Sequence, residues 1–162
     1  MVLRDSNAKL EERAEDRESP KLVFEELDEL LGYRLRRAQG AMHRDYMAAV
    51  AGLDLTQKQT ATLWLIKGNA GVSQVSLAAA LGMDRATMMS VVDRLEERGL
   101  VIRKRSNTDR RRQKLYLTPA GQNMLRKVKA RIAKHEERLK LLFTAAELSA
   151  LLAALQKLQN AM

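Results

Sequence analysis

The sequence predicts a mainly α-helical chain that carries one small β-hairpin. Three observations point there. Apolar residues recur at three- and four-residue steps through most of the chain, the period of an amphipathic helix. Thr, Ser and Asp stand where helices would begin, in places with Gln or Glu three residues later, so that caps and helices alternate. The stretch 100–117 instead alternates apolar and polar residues around a polar turn, the pattern of two half-buried strands. With 162 residues, 46% of them apolar, the chain is long enough for one domain with a sizeable core.

The elements follow in order. Residues 1–21 are highly charged and poor in apolar side chains, an extension that either stays disordered or forms a solvated turn or two of helix. Pro20 suits a helix start, and from Leu22 the positions Val23, Leu27, Leu30, Leu31 and Leu35 keep helical spacing. They predict a long helix over 22–50, loosened at Gly32 and Gly40 and ended by Gly52. Thr56 with Gln59 is a capping box and opens a second helix, filled by Ala61, Leu63, Trp64, Leu65 and Ile66 and stopped by residues 68–71. Ser73 caps a short helix over 74–81, and Gly82 with Met83 turns the chain. Asp84 caps a helix over 85–98 that Gly99 terminates. Strands are expected over 100–105 and 113–117, with Ser106, Asn107, Thr108 and Asp109 as the turn. Thr118 and Pro119 are an N-cap and a first helical position for a helix reaching about 142. Thr144 with Glu147 is another capping box, and the last helix carries Leu148, Leu151, Leu152, Leu155 and Leu158 in one seam.

Composition removes several classes of function. The chain has no cysteine, which excludes disulfides, thiol redox sensing and cysteine-ligated zinc. Its two histidines are His43 and His135, and its carboxylates form no cluster at ligand spacing, so neither a metal site nor a cofactor is predicted. An enzyme would need a nucleophile with its base, paired carboxylates in a cleft, or a glycine-rich phosphate loop. The acids instead lie mostly in the N-terminal tail or at helix caps, and no enzymatic activity is expected. The apolar runs fall far short of the roughly 18 residues of a membrane span, and the first residues lack a secretory pattern. The expectation is a soluble, cytoplasmic protein without a membrane partner.

Charge is spread unevenly. Residues 1–30 hold ten acids and five bases, whereas the chain as a whole carries +9. Ten Lys or Arg lie between Arg85 and Lys114 against four acids, Asp93, Glu96, Glu97 and Asp109. A cationic helix feeding a cationic hairpin suits a polyanion, and double-stranded DNA above others. The two helices either side of Gly82 form a helix-turn-helix. On the second, Met88, Val91, Val92 and Leu95 fall at i, i+3, i+4 and i+7 and must turn inward. That leaves Arg85, Ala86, Met89, Ser90 and Arg94 outside, with Thr87 near the boundary. Recognition helices address bases with their N-terminal turns, so Arg85, Ala86, Thr87, Met89 and Ser90 are the candidate base readers and Arg94 a phosphate contact. Ser73 and Gln74, at the start of the preceding helix, join the DNA-binding candidates. In the hairpin, Arg103, Lys104, Arg105, Arg110, Arg111 and Arg112 repel one another unless a polyanion is present, and a narrow minor groove favours arginine. Arg105, Arg110, Arg111 and Arg112 are therefore candidates too, with Asp109 placed to hold the Arg111 guanidinium.

The segment GVSQVSLAAALGMDRATMMSVVDRLEERGLVIRKRSNTDRRRQKLYLTPAG resembles the MarR (multiple antibiotic resistance regulator) family of winged helix-turn-helix transcription factors. The matching pieces are S-x-x-x-L-A-x-x-L-G, then D-R-x-T-x-x-x-x-V-D-R-L-E-x-x-G-L-V, then D-x-R followed by L-x-L-T-x-x-G. They cover about 53–121, and the flanking helices match in length and order only. The resemblance implies a winged helix-turn-helix DNA-binding domain over 53–117. Around it would lie a helical dimerisation region, 22–52 and 118–162, with 1–21 as a charged extension. It implies a homodimer on a near-palindromic operator, usually repressing nearby genes until a small molecule or an oxidant releases it. It makes Asp109 and Arg111 the wing pair, with Arg111 entering the minor groove, and Arg94 the backbone-contacting arginine. Where the family often has a polar residue before the position of Ser90, this chain has Met89.

The leucine faces of the first helix and the last two predict the dimer interface: Leu22, Val23, Leu27, Leu148, Leu151, Leu152, Leu155 and Leu158. Without cysteine, the family's oxidant sensing is removed. What the resemblance leaves is a small organic effector, often an aromatic or phenolic acid or its coenzyme A thioester. His43, Tyr46 and Trp64 lie on segments expected to line its pocket, and Arg36, Arg37 and Arg44 are available to neutralise a carboxylate or phosphates. Trp64 also reads as a core anchor, His43 as a satisfied surface residue, and the arginines as solvated charge. A competing reading has no effector at all: a constitutive DNA-binding protein, or an activator working through a protein partner.

Overall fold

The computed structural model describes residues 22–105 and 113–161, which form two compact units, one ending at Ala41 and one beginning at Met42. The helix expected over 22–50 is not continuous. Residues 22–24 are non-helical, Glu25–Glu29 form a single 3₁₀ turn, and α1 runs Leu31–Ala49. The break is at Leu30, whose ψ of 118° is extended. Glu25, Glu26, Asp28 and Glu29 would crowd four carboxylates onto a little over one helical turn, where like charges repel. The broken backbone instead turns Asp28 toward α1: its carbonyl accepts from Arg34 Nε, and its carboxylate pairs with Arg37 at 3.3 Å. Leu22, Val23 and Leu27 are therefore exposed, but on extended and 3₁₀ backbone rather than on a helical face. Gly32 and Gly40 do not interrupt α1, contrary to expectation.

In the second unit the caps predict the elements closely, with ends trimmed by a residue or two. Helix α2 is Gln57–Gly68, opened by the Thr56–Gln59 capping box with both of its reciprocal hydrogen bonds. Helix α3 is Gln74–Ala80 and α4 is Arg85–Glu97, the two turning by 116° through Gly82 at φ +59°. Strands β1 (Val101–Arg105) and β2 (Gln113–Leu117) pair antiparallel, with Val101 opposite Leu117 and Arg105 opposite Gln113. Leu100, expected as the first strand residue, is buried in the turn before it. Val72 bridges to Leu115, so the loop before α3 forms a short third edge. Helix α5 is Pro119–Lys140, capped by Thr118, and α6 is Ala145–Ala161.

The core sits between α2, α4, the sheet and α5. Leu63, Ile66, Leu77, Met88, Val92, Leu95, Leu115 and Val128 are almost wholly buried. Gly121 marks the tightest approach: a Cβ there would lie 1.9 Å from the Leu100 carbonyl oxygen. The first turn of α5 thus packs directly on the backbone that joins α4 to β1. Helix α6 differs, since none of its residues is buried. Among the described residues no single helix is long and apolar enough to cross a membrane. The 1–21 extension lies outside the described residues.

Candidate nucleic-acid interface

Helix α4 is fixed at its start by Asp84. One carboxylate oxygen accepts from the Thr87 backbone N–H at 2.7 Å and the other from the Thr87 hydroxyl at 2.5 Å. Those hydrogen bonds, the side-chain one first, hold the Asp84 carboxyl below its ordinary pKa. The helix then rotates as its apolar spacing requires. Met88, Val91, Val92 and Leu95 are buried, whereas Arg85, Ala86, Met89, Ser90 and Arg94 are exposed. Thr87 is half-buried, and its hydroxyl proton is directed to Asp84. Helix α3 is capped by Ser73, whose Oγ accepts from the Ser76 N–H at 3.1 Å. Ser73, Gln74 and Val75 of this helix start line an open cleft together with Arg85, Ala86 and Met89 of α4 and Gln113 of β2. No spacing or motif in the sequence singles out Gln113, because its register beside α4 is a property of the folded hairpin.

Strand β1 corrects the charge argument. Arg103, one of the bases that a polyanion would have to relieve, is already paired. Its guanidinium donates to Asp93 at 2.5 Å and to Glu96, its backbone N–H donates to Glu96 at 3.2 Å, and its side chain is only 19% exposed. Desolvation lowers the Arg103 pKa, but the Asp93 hydrogen bond and the charges of Glu96 and Asp93 outweigh it and leave the group raised. The sequence does carry a signal for this: Arg103 shares the face of buried Val101, two residues before it, and Asp93 and Glu96 lie three apart on one side of α4. Arg98 is also engaged, donating to the carbonyls of Leu53 and Asp54. Lys104 Nζ lies 5.4 Å from the centre of the Tyr116 ring. Arg105 and Arg94 are exposed. Asp109, Arg110, Arg111 and Arg112 lie outside the described residues.

The remaining candidates fall on other elements. In the first unit Arg36 is exposed, and Arg37 pairs with Asp28 while its guanidinium lies 5.1 Å from the centre of the Phe24 ring. In the second, Arg44 is exposed, and exposed His43 places Nδ1 3.0 Å from Gln57 Oε1. Tyr46 is buried, donates to Thr60 Oγ1 at 2.8 Å, and has its pKa raised by that burial. Trp64 is 43% exposed, with Lys129 Nζ 4.0 Å from its ring centre, so it is no core anchor. His135 is buried; its Nε2 lies 3.0 Å from Asp45 Oδ2, off the line a hydrogen bond needs, and Asp45 also accepts from Arg138. This pairing joins residues some ninety positions apart, and periodicity carries no signal for it. On α6, Leu151, Leu152 and Leu155 are exposed, with Leu148 and Leu158 half-buried.

Known proteins match this arrangement. Residues 52–112 match the MarR family. A relative described as a transcriptional regulatory protein for the hcr operon of Thauera aromatica is 34% identical over 129 residues, 79% of this chain and 78% of its own. The transcriptional repressor CouR bound to a 23-mer DNA duplex superposes with a TM-score of 0.81 at 39% identity, covering 86% of this chain and 99% of CouR. CouR bound to p-coumaroyl-CoA superposes with a TM-score of 0.82 at 37% identity, covering 88% of this chain and 100% of CouR. The chain belongs to the MarR family and is a transcriptional regulator of that type.

Proposed function

We propose that this MarR-family regulator acts as a homodimer on a near-palindromic DNA operator and represses transcription until a small organic ligand releases it. The observation that carries the reading is helix α4: its core face is fully buried, and its N-terminal turns present Arg85, Ala86, Met89 and Ser90 to solvent. Thr87 joins those base readers, Ser73 and Gln74 flank them, Arg94 supplies a phosphate contact, and Arg105, Asp109, Arg110, Arg111 and Arg112 are the candidate contacts from the hairpin, with Arg111 assigned to the minor groove by the family resemblance. A cationic wing beside an exposed helix start fits a duplex, and CouR provides a relative seen on one. The exposed leucines of α6 and the exposed Leu22, Val23 and Leu27 support the dimer, since apolar side chains left open on a protomer suit a second copy. For the ligand, the relative seen with p-coumaroyl-CoA supports an aromatic acid or its thioester, with Arg36, Arg37, His43, Arg44, Tyr46 and Trp64 as the candidate contacts.

One titration tests the reading. A duplex selected by the protein from a random library should lose about 10³–10⁵-fold in affinity between 50 and 200 mM salt, as expected for roughly 6–10 phosphate contacts. Adding p-coumaroyl-CoA to the complex should then release the DNA. Failure to select any duplex, or salt-insensitive binding, defeats the DNA reading; DNA that stays bound with every aromatic acid and thioester tried defeats the effector.

A further inference from the structure

The cleft between α3, α4 and β2 has an unusual floor for a cationic surface. Val75 and Met89 are 55% and 52% exposed, and Ala86 is exposed between them in sequence. Arg85 stands at the same cleft, so its surroundings favour a polyanion over an apolar protein surface. In the major groove the apolar group that a base edge offers is the C5 methyl of thymine, and beside it lies the O4 acceptor. The polar part of the cleft matches that second feature. Arg103 Nη2 lies 3.5 Å from Gln74 Oε1, a long contact that engages the amide oxygen and leaves the N–H₂ as the group that can donate at the cleft Gln74 lines. Arg103 is itself immobilised by Asp93 and Glu96.

We infer that this cleft reads thymine: Val75, Ala86 and Met89 receive its C5 methyl, and Gln74, oriented by Arg103, donates to its O4. The inference rests on the DNA reading above and adds the base that the chain selects. It also gives Met89 a purpose, since a polar residue there would offer the methyl nothing. Guanine presents acceptors without a methyl, and cytosine places a donor where Gln74 also donates.

The test uses the full chain and the duplex it selects. At each thymine in turn, deoxyuridine removes one methyl and leaves every hydrogen-bonding atom in place. Burying one methyl-sized group is worth about 0.8 kcal/mol, so the wild-type chain should lose roughly fourfold in affinity at the thymine that is read. Val75→Ser combined with Met89→Ser, both at exposed positions, should lose most of that preference for thymine over uracil, leaving only what Ala86 supplies, with the fold retained. Equal wild-type binding at every substituted thymine overturns the inference while leaving the DNA reading intact, because both duplexes are bound. A uracil penalty of undiminished size in the double variant also overturns it, because Val75 and Met89 then do not receive the methyl. If the protein selects no duplex, the DNA reading itself fails first.

Discussion

Helices α4 and α6 are built from similar material and used in opposite ways. Helix α4 has 13 residues and hides every large apolar side chain but one, Met89, inside the protomer. Helix α6 has 17, is richer in leucine, and buries no side chain fully. The first is complete within the chain: its apolar stripe is absorbed by α2, α3 and the sheet, so its other face is free for a partner that the core does not need. The second leaves Leu151, Leu152 and Leu155 exposed on the protomer, the surface that the proposed dimer would cover. Rigid presentation and open apolar surface are the two demands that the proposed DNA-reading dimer makes, and they fall on different helices.

The largest expected effect separates these roles. Leu95→Ala, at a side chain with no exposure, should cost about 2–5 kcal/mol in chemical denaturation at any protein concentration. Leu152→Ala, at a side chain 59% exposed, should leave the folding of the dilute protomer nearly unchanged. Its cost should appear as a shift toward monomer in sedimentation, and as a lower denaturation midpoint at concentrations where the wild type is dimeric. Equal, concentration-independent costs at the two positions would erase the distinction drawn between the helices.

A smaller effect sharpens what rigid presentation means. Arg103→Ala removes the guanidinium that ties β1 to Asp93 and Glu96 of α4. Both acids are more than a third exposed, so solvent screening limits the loss to about 1–2 kcal/mol rather than the larger cost of a fully buried pair. A double-mutant cycle of Arg103→Ala with Asp93→Asn should show coupling between the two sites, and strictly additive effects would remove the clamp.

How legible each feature is depends on the distance in sequence over which it is decided. The caps at Thr56, Ser73, Asp84 and Thr118 are settled within three or four residues, and each opens the helix it predicts. The orientation of α4 follows from the period of four apolar residues, so spacing alone identifies its exposed face. The break at Leu30 escapes hydrophobic spacing because charge decides it, through the acids crowded over 25–29 and the contacts of Arg34 and Arg37 on Asp28. A count of charge misreads Arg103 because it ignores which face of a strand each charge occupies. The Asp45, His135 and Arg138 cluster, like the Val72 bridge to Leu115, joins segments that only the folded core brings together.

The smallest expected effect returns to the two helices through their caps. Asp84 opens α4, and Glu147 reaches back to Thr144 at the start of α6. Both carboxyls are held below their ordinary pKa, Asp84 by the side chain and backbone of Thr87, Glu147 by the backbone N–H and then the hydroxyl of Thr144. A carboxyl depressed in the folded state binds its proton more readily when unfolded. Its stabilisation is therefore complete above the unfolded pKa and is lost as pH falls through the lower folded value. Asp84→Asn keeps a capping oxygen but removes the titration, so it should flatten the acid limb of the melting-temperature profile wherever the protein is folded, monomer or dimer. Glu147→Gln should flatten the acid limb of the dimer's dissociation instead, because α6 contributes little until its leucines are covered. If Glu147→Gln alters the profile of the dilute protomer as much as Asp84→Asn does, α6 is already stabilised within one chain, and its exposed leucines need another explanation than a second copy.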